Sequence, residues 1–523
     1  MASNYSMKKF MRGALLLTIA AILAKVLSAI YRIPFQNMVG DQGFYVFQQV
    51  YPFASLFVVL ASSGFAIAIS KVLVDEQQME RRQQIKKVVF SYLLLLGLLF
   101  FIVLFFGAGY FAAWMGDEQL TSLIRIAAFV PLAMPLIAIF KGSFQAYNEM
   151  QRIAYAQLIE QSVRVVIILG GTMVVMATSQ SIYTAGKVAI FGIVIGSFGS
   201  LLYLWLSDRQ QSVQFFRVSG ALWDMAILKK VTAYSISISM SSLVVILFQF
   251  VDSFTILNGL LRNGVSMLEA MTIKGIYDRG QSLVQFSMVL VSAMAMAIVP
   301  MIAYKAQRGK EIPYVQLTYR VSLLMSVAAA VGLVLVMPYA NQMLFETDAL
   351  SAMLSVYVLQ IIPLCFVLTF TAVLQGYGKL LWPTVFIAIA ILLKVLFNPL
   401  FIRHFDVYGA AIANNIALTV AAICFVVYIK CWQRVQLAKG DYYGKLVVAT
   451  ITMVVAVRAV EMLLPAMAGR GSAAITAAIL IMVGVCMFLF VVAKLRLLAE
   501  REWFLLPFGR RMAALQLFLN RKK

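Results

Sequence analysis

Four basic residues lie deep inside apolar stretches of the chain, and two more lie at the ends of such stretches. A cation at the centre of a membrane-spanning helix costs about 2.5–3.5 kcal/mol, so each one needs a physical reason. Cations at equivalent depths can line a water-filled cavity and hold an anion through charge-assisted hydrogen bonds, and we expect a phosphate or pyrophosphate. The six residues are Lys25, Arg32, Arg164, Arg279, Lys394 and Arg458.

Nearby acids could neutralise two of these cations. Glu160 and Arg164 are four residues apart on one helix face and could form an ion pair. Arg458 could pair with Glu461 or extend its side chain towards the interface. Both interpretations of Arg164 stay open, and we keep it among the candidate substrate-binding residues. Those are Lys25, Arg32, Arg164, Arg279 and Lys394.

Asp252 is one of the few acids within an apolar stretch, and it has two interpretations. It could pair with Lys394 or Arg279 and serve structure alone. Alternatively, it could belong to a group of oxygen-bearing side chains that binds Na⁺ or carries a proton for ion coupling. That group is Asp252, Asn398, Asn415 and Thr419.

The sequence contains no motif for nucleotide binding, for a His-based metal centre or for a catalytic triad. None of the Gly-Lys pairs is followed by Ser or Thr, so there is no P-loop for ATP. The single histidine, His404, excludes the usual His-based metal centre or catalytic triad. We therefore predict that the protein is not an enzyme and has no cofactor beyond a coupling ion, Na⁺ or H⁺.

The composition shows which elements must position these residues. Of 523 residues, 63% are apolar and 12% charged, and the mean hydropathy is +0.91. Soluble proteins are about 45–50% apolar, so we predict an all-α polytopic membrane protein. Fourteen apolar runs are long enough to span a bilayer. Their limits are 10–32, 44–70, 88–113, 121–143, 153–177, 183–206, 231–256, 281–304, 316–338, 352–374, 380–402, 407–430, 444–465 and 472–494.

The excess of 43 Lys and Arg over 21 Asp and Glu, a net charge of +22, predicts the orientation. About thirty of the cations fall on one side if the even-to-odd connections are cytoplasmic. Both termini are then cytoplasmic, and we expect the first run to be a retained helix. The basic, aromatic tail 496–523 predicts an amphipathic helix on anionic inner-leaflet lipids and no nucleic-acid arm.

A weak internal repeat predicts the domain organisation. Residues 144–169 align with 374–399 at an offset of 230, which places Arg164 over Lys394. An offset of six helices keeps the orientation, so the halves are parallel repeats. The predicted domains are an N-terminal bundle (1–207), a cytoplasmic linker (208–230), a C-terminal bundle (231–431), two extra helices (432–495) and the basic tail (496–523).

Several strings in the chain resemble the polysaccharide biosynthesis branch of the MOP superfamily, which contains the MurJ-like and stage V sporulation protein B-like flippases. AKVLSAIYRIPFQNMVGDQGFYVFQQVYPF (24–53) resembles the first helix pair of that branch. VDSFTILNGL (251–260) and KGIYDRGQSLVQFSMVLVSAMAMAIVP (274–300) resemble its seventh and eighth helices, and Tyr-Asp-Arg is the most specific match. The resemblance extends over nearly the whole chain.

This resemblance implies a flippase that moves an undecaprenyl-pyrophosphate-linked cell-wall precursor or oligosaccharide, such as lipid II, by alternating access. It implies that Lys25, Arg32 and Arg279 correspond to functional cations and Asp41 to an acidic loop residue that acts in gating. In the second helix, Gln48 and Gln49 stand where Gram-negative MurJ proteins have an arginine, which leaves the sugar open.

Two other functions are alternatives to the flippase. A multidrug or cation antiporter of the related branch needs acidic groups for organic cations, and here the cations within the spans are more numerous. A scaffold for cell-wall or sporulation enzymes would tolerate loss of the buried cations but not of the tail. We expect a monomer in the bacterial plasma membrane, whose partners are the lipid-linked anionic glycan and inner-leaflet lipids.

Overall fold

The computed structural model describes residues 16–17, 19–208, 223–306, 312–465, 469–503 and 509–520, with only the backbone described for 290–306 and 501. All regular secondary structure in these ranges is helical, as the composition predicts. A π-helical turn, Leu60–Phe65, joins α2 to α3. The helices are α1 (19–30), α2 (Arg32–Val59), α3 (Ala66–Asp75), α4 (Met79–Met115), α5 (Thr121–Ala127), α6 (Val130–Ala146), α7 (Met150–Ala177), α8 (Ile182–Ser207), α9 (Met225–Arg262), α10 (Met267–Ala306), α11 (Ile312–Phe345), α12 (Ser351–Val358), α13 (Ile361–Gly376), α14 (Leu381–Gln433), α15 (Gly440–Leu463), α16 (Arg470–Lys494), α17 (Glu500–Trp503) and α18 (Gly509–Leu519).

Eleven helical runs in the described part of the chain are long and apolar enough to cross a membrane. Two of them, Ile19–Asp75 and Leu381–Gln433, have 57 and 53 residues. One crossing needs only about 20 residues. Gly40, with a φ of 70°, interrupts the first long run, and Phe405 and Asp406 interrupt the second. Each long run can therefore cross the membrane twice.

Each predicted span from 44–70 to 472–494 lies on a described helical run and extends past its ends by at most two residues, whereas several helices begin well before the predicted limit, as α10 does at Met267 against 281. The first predicted span, 10–32, is helical over 16–17 and 19–30, and its residues 10–15 and 18 lie outside the described part of the chain. The all-α polytopic membrane fold is thus confirmed, whereas the exact count of fourteen spans stays a prediction.

Contacts divide the chain into two compact units, and the first consists of Met1–Asp278 with Asn398–Asp406. In this unit α7 and α8 pack closely, because glycines of α8 leave room for α7. A Cβ atom at Gly196 would lie 2.7 Å from the backbone oxygen of Glu160. This contact fixes the segment of α7 that carries Glu160 and Arg164.

The second unit consists of Arg279–Phe397 with Val407–Lys523. Its helices α11, α15 and α16 share an apolar core that includes Leu324, Met453 and Leu480. The predicted repeat bundles, 1–207 and 231–431, rest on internal symmetry, which a division by contacts does not test. They stay a prediction.

Candidate functional site

Arg32, the first residue of α2, is fully buried in the first unit. Its guanidinium carbon lies 4.7 Å from the centre of the Tyr51 ring, a cation–π contact. The hydroxyls of Tyr31 and Tyr51 interact with it, but none of its nitrogens makes a well-aligned hydrogen bond with a described residue. A guanidinium has five N–H donors, so this group is a candidate for binding an anion that carries several oxygens.

Arg164 belongs to a buried cluster of three charges on α6 and α7. A guanidinium nitrogen of Arg164 donates to a Glu160 carboxylate oxygen at 3.0 Å, so the ion pair that the spacing allowed is formed. The Lys141 ammonium lies 3.7 Å from the other carboxylate oxygen and donates to the Ser62 hydroxyl at 2.8 Å. Two cations share one acid, which leaves this interior with a net positive charge.

Arg164 and Arg32 both lie near Tyr51 in the first unit. Both interact electrostatically with the buried Tyr51 side chain. The Nε atom of Arg164 has no hydrogen-bond partner among the described residues, although the same guanidinium is paired with Glu160. The α2 and α7 cations therefore form one positively charged region with unused donors.

Asp252 on α9 is buried among polar partners of the first unit. The Tyr277 hydroxyl donates to one of its carboxylate oxygens, and the Asn398 amide donates to the other, both at 3.1 Å. The same amide reaches the Thr255 hydroxyl at 2.6 Å. Two members of the predicted ion-coupling group, Asp252 and Asn398, are therefore in direct contact.

The other two members, Asn415 and Thr419, lie on α14 in the second unit. The Asn415 amide donates to the backbone oxygens of Val356 and Ala411 at 2.8 and 2.9 Å. Thr419 is exposed. A four-residue coupling site stays a prediction. No cluster of three or more His, Cys, Asp or Glu that could hold a metal ion occurs within the ranges that the structure describes.

A second buried ion pair, which our sequence analysis missed, lies on α10. The Lys274 ammonium contacts both carboxylate oxygens of Asp278, at 2.6 and 2.7 Å. The Asp278 carboxylate also interacts electrostatically with Asp252 and Arg32. The spacing of four in KGIYDRG was the available signal.

Arg279 begins the second unit and is nearly inaccessible. Its guanidinium donates to the side-chain oxygen of Asn341 at 3.0 Å and lies 5.0 Å from the centre of the Phe345 ring. Lys394, in the same unit, is also buried, and its ammonium lies 3.5 Å from the backbone oxygen of Ala410. Protein groups thus contact both cations.

The remaining predicted residues are more exposed than these buried cations. Lys25 on α1 is exposed and has no hydrogen-bond or ion-pair partner among the described residues. Asp41 follows the break at Gly40 and accepts a hydrogen bond from the Gln36 amide at 2.6 Å. Arg458 pairs with Glu461 at 2.7 Å, and its side chain is 52% exposed. This last geometry is that of a local surface pair.

The fold and these buried charges define the class of the protein, a polytopic membrane protein with a charged interior. A profile of the family "Polysaccharide biosynthesis protein" matches residues 10–305, more than half of the chain. The chain belongs to this family, which confirms the resemblance to the MOP superfamily.

Three proteins of Bacillus subtilis (strain 168) are similar in sequence. The chain is 31% identical to the uncharacterized membrane protein YabM over 522 residues, 98% of this chain and 97% of YabM. It is 24% identical to the lipid II flippase MurJ over 452 residues, 81% and 82% of the two chains. Stage V sporulation protein B is 25% identical over 205 residues, 38% of each chain.

Solved structures show the same fold. A lipid II flippase MurJ in an inward closed conformation has a TM-score of 0.68 at 15% identity, covering 92% of this chain and 98% of that one. An inward-facing multidrug resistance MATE transporter has a TM-score of 0.61 at 14% identity, covering 79% and 96%. With its many apolar helices and bacterial relatives, the protein is a multi-pass protein of the bacterial plasma membrane.

Proposed function

We propose that the protein is a flippase that moves an undecaprenyl-pyrophosphate-linked cell-wall precursor or oligosaccharide, such as lipid II, across the plasma membrane by alternating access. The observation that carries this proposal is the buried guanidinium of Arg32, whose donors find no acceptor among the described residues. Leaving a buried charge without hydrogen bonds costs free energy, and a pyrophosphate supplies several oxygens that would satisfy it.

The relatives support the same proposal. MurJ of Bacillus subtilis, a lipid II flippase, is similar over four-fifths of the chain, and the matching family acts in polysaccharide biosynthesis. Both point to a transporter of a lipid-linked sugar intermediate and not to an enzyme. We propose that lipid II or a closely related undecaprenyl-linked glycan is the cargo.

A multidrug antiporter is the alternative function, because a multidrug resistance MATE transporter has a similar fold. An exporter of organic cations needs acids in its cavity. Among the buried charged residues that the structure describes, cations outnumber acids. The cations are Arg32, Lys141, Arg164, Lys274, Arg279 and Lys394, and the acids are Asp117, Glu160, Asp252 and Asp278. This balance favours an anionic cargo.

The test is complementation in a bacterium whose own lipid II flippase can be depleted. We expect the wild-type protein to restore growth and the labelling of lipid II at the outer face. Lys25→Ala, Arg32→Ala and Arg279→Ala should each reduce rescue, whereas the matched control Arg458→Ala, which removes a cation from an exposed local pair, should not.

Each alternative outcome has its own meaning. Undiminished rescue by all three variants would refute the cationic mechanism and favour the scaffold. If the wild-type protein is folded and inserted but does not rescue growth, the result would indicate that the cargo is an undecaprenyl-linked sugar other than lipid II.

We further propose that Asp252 couples transport to Na⁺ or H⁺. Its burial within a spanning helix supports this, because a carboxylate oxygen suits a hard cation and a carboxylate can also carry a proton. Asp252→Asn should abolish the dependence of transport in proteoliposomes on the Na⁺ or pH gradient. Asp348→Asn, which neutralises an exposed acid, should leave that dependence unchanged.

A further inference from the structure

The C-terminal segment folds back onto the second unit through its two short helices. The Trp503 indole nitrogen of α17 donates to the Gln516 side-chain oxygen of α18 at 2.6 Å, and the Gln516 amide donates to the backbone oxygen of Leu498 at 3.2 Å. Trp503, Ala513 and Gln516 are buried. One face of α18 is therefore covered by protein.

Further contacts join the end of α18 to the end of α16. The Asn520 amide donates to the backbone oxygen of Ala493 at 3.2 Å, and the Lys494 ammonium donates to that of Leu519 at 3.1 Å. Ala493 and Lys494 are the last residues of α16, a helix apolar enough to cross the membrane. The end of a spanning helix lies where the hydrocarbon meets the headgroups, so the C-terminal end of α18 lies at that boundary.

A second anchor ties α17 to α11. Glu502 forms an ion pair with Arg320, and the backbone oxygen of Arg320 accepts a hydrogen bond from the Tyr442 hydroxyl at 2.5 Å. The segment is thus held by α11 and α16, which gives α18 a defined orientation.

The opposite face of α18 carries one exposed stripe. Arg510 and Arg511 are exposed in its first turn, and Leu517 and Phe518 are 51% and 73% exposed in its last. Ala514 lies between them and is also exposed, so the spacing is that of one helix face. Cations beside large apolar side chains are typical of helices that lie in the membrane interface.

We propose that this stripe binds anionic phospholipid headgroups of the leaflet that surrounds the end of α16. Leu517 and Phe518 enter the interface, and Arg510 and Arg511 contact the phosphates. The sequence supports the choice of an anionic lipid, because Arg521, Lys522 and Lys523 add three more cations directly after the helix. The inference is independent of the proposed flippase function.

Hydrogen–deuterium exchange of the full-length protein in nanodiscs tests the proposal. Segment 509–520 should exchange at least about fivefold more slowly in discs with phosphatidylglycerol than in discs of phosphatidylcholine with the same acyl chains, because each basic residue near an anionic surface contributes roughly 1 kcal/mol. High salt should reduce the difference. Equal exchange in the two lipids would overturn the proposal.

Variants of exposed residues identify the groups responsible. Arg510→Gln with Arg511→Gln should abolish the difference between the lipids, whereas Lys430→Gln with Arg434→Gln, which removes two exposed cations from another connection of the same unit, should preserve it. Leu517→Ser with Phe518→Ser should speed exchange in both lipids. Unchanged exchange in either tail variant, at an unchanged unfolding temperature, would contradict the assigned contact.

Discussion

Arg32 in the first unit and Arg279 in the second are both buried guanidiniums that stack on an aromatic ring, at 4.7 Å from Tyr51 and 5.0 Å from Phe345. They differ in hydrogen bonding. Arg279 donates to Asn341 at 3.0 Å, whereas Arg32 has no hydrogen-bond partner among the described residues. From this difference we infer that the fold uses Arg279, and we propose that Arg32 is the cation available to a ligand.

Arg164 is a third case that makes this distinction clearer. It is buried like the other two but is paired with Glu160, which also lies near Lys141. Buried networks of this kind tie helices together at a cost in desolvation. We therefore expect loss of a partner to affect stability and loss of Arg32 to affect binding.

The largest effect on stability should follow Glu160→Gln. The substitution leaves Arg164 and Lys141 buried without a counter-charge, and removing one partner of a buried ion pair costs about 3–5 kcal/mol. The unfolding temperature of the purified protein should fall sharply. An unchanged temperature would show that water or other groups already compensate the two cations.

Arg32→Ala should lower the transport rate about tenfold to one hundredfold, because a hydrogen bond to a charged group contributes about 1.5–3 kcal/mol. The unfolding temperature should fall less than in Glu160→Gln, since no nitrogen of Arg32 has a hydrogen-bond or ion-pair partner to lose among the described residues. Transport is measured with lipid-linked substrate in proteoliposomes. A fall in stability as large as that of Glu160→Gln would remove the distinction between the two kinds of cation.

Asn341→Leu should destabilise the second unit by about 1–3 kcal/mol, because it leaves the Arg279 donor without this acceptor. Asn341 also donates to the backbone oxygen of Ala349 and the Ser351 hydroxyl, both at 3.0 Å. Denaturation should occur at lower temperature, and transport per folded molecule should change less than in Arg32→Ala. The reverse order would place Arg279 in the binding role and Arg32 in the structural one.

The smallest effect is expected for Arg458→Ala. Its partner Glu461 is three residues away and its side chain is half exposed, so the pair contributes less than about 1 kcal/mol. Neither transport nor unfolding temperature should change measurably. A strong loss of transport would mean that a cation within a span is functional regardless of its burial.

Periodicity and local spacing predicted much of this structure. The apolar runs located the helices, and the spacing of four between Glu160 and Arg164 allowed the pair that the fold contains. Lys141 escaped notice because its partner is on another helix, and a contact between helices leaves no local pattern in the sequence.

Lys274 and Asp278 were missed for a different reason. The predicted span began at 281, after both residues, whereas α10 begins at Met267 and contains them. Hydropathy finds the apolar part of a helix and not its polar first turns. That Arg32 has no hydrogen-bond partner among the residues the structure describes is likewise a property of the packing of several helices, and it could not be predicted from its neighbours in the chain.

We propose that Arg32 binds the anionic group of a lipid-linked substrate. The most direct measurement is the affinity of the purified full-length protein for undecaprenyl pyrophosphate, with undecaprenol as the lipid that lacks the anion. We predict at least about tenfold weaker binding of the pyrophosphate to Arg32→Ala, partial recovery in Arg32→Lys, and equal binding of undecaprenol to all three proteins. Equal affinity of wild type and Arg32→Ala for the pyrophosphate, with both proteins folded, would contradict the claim.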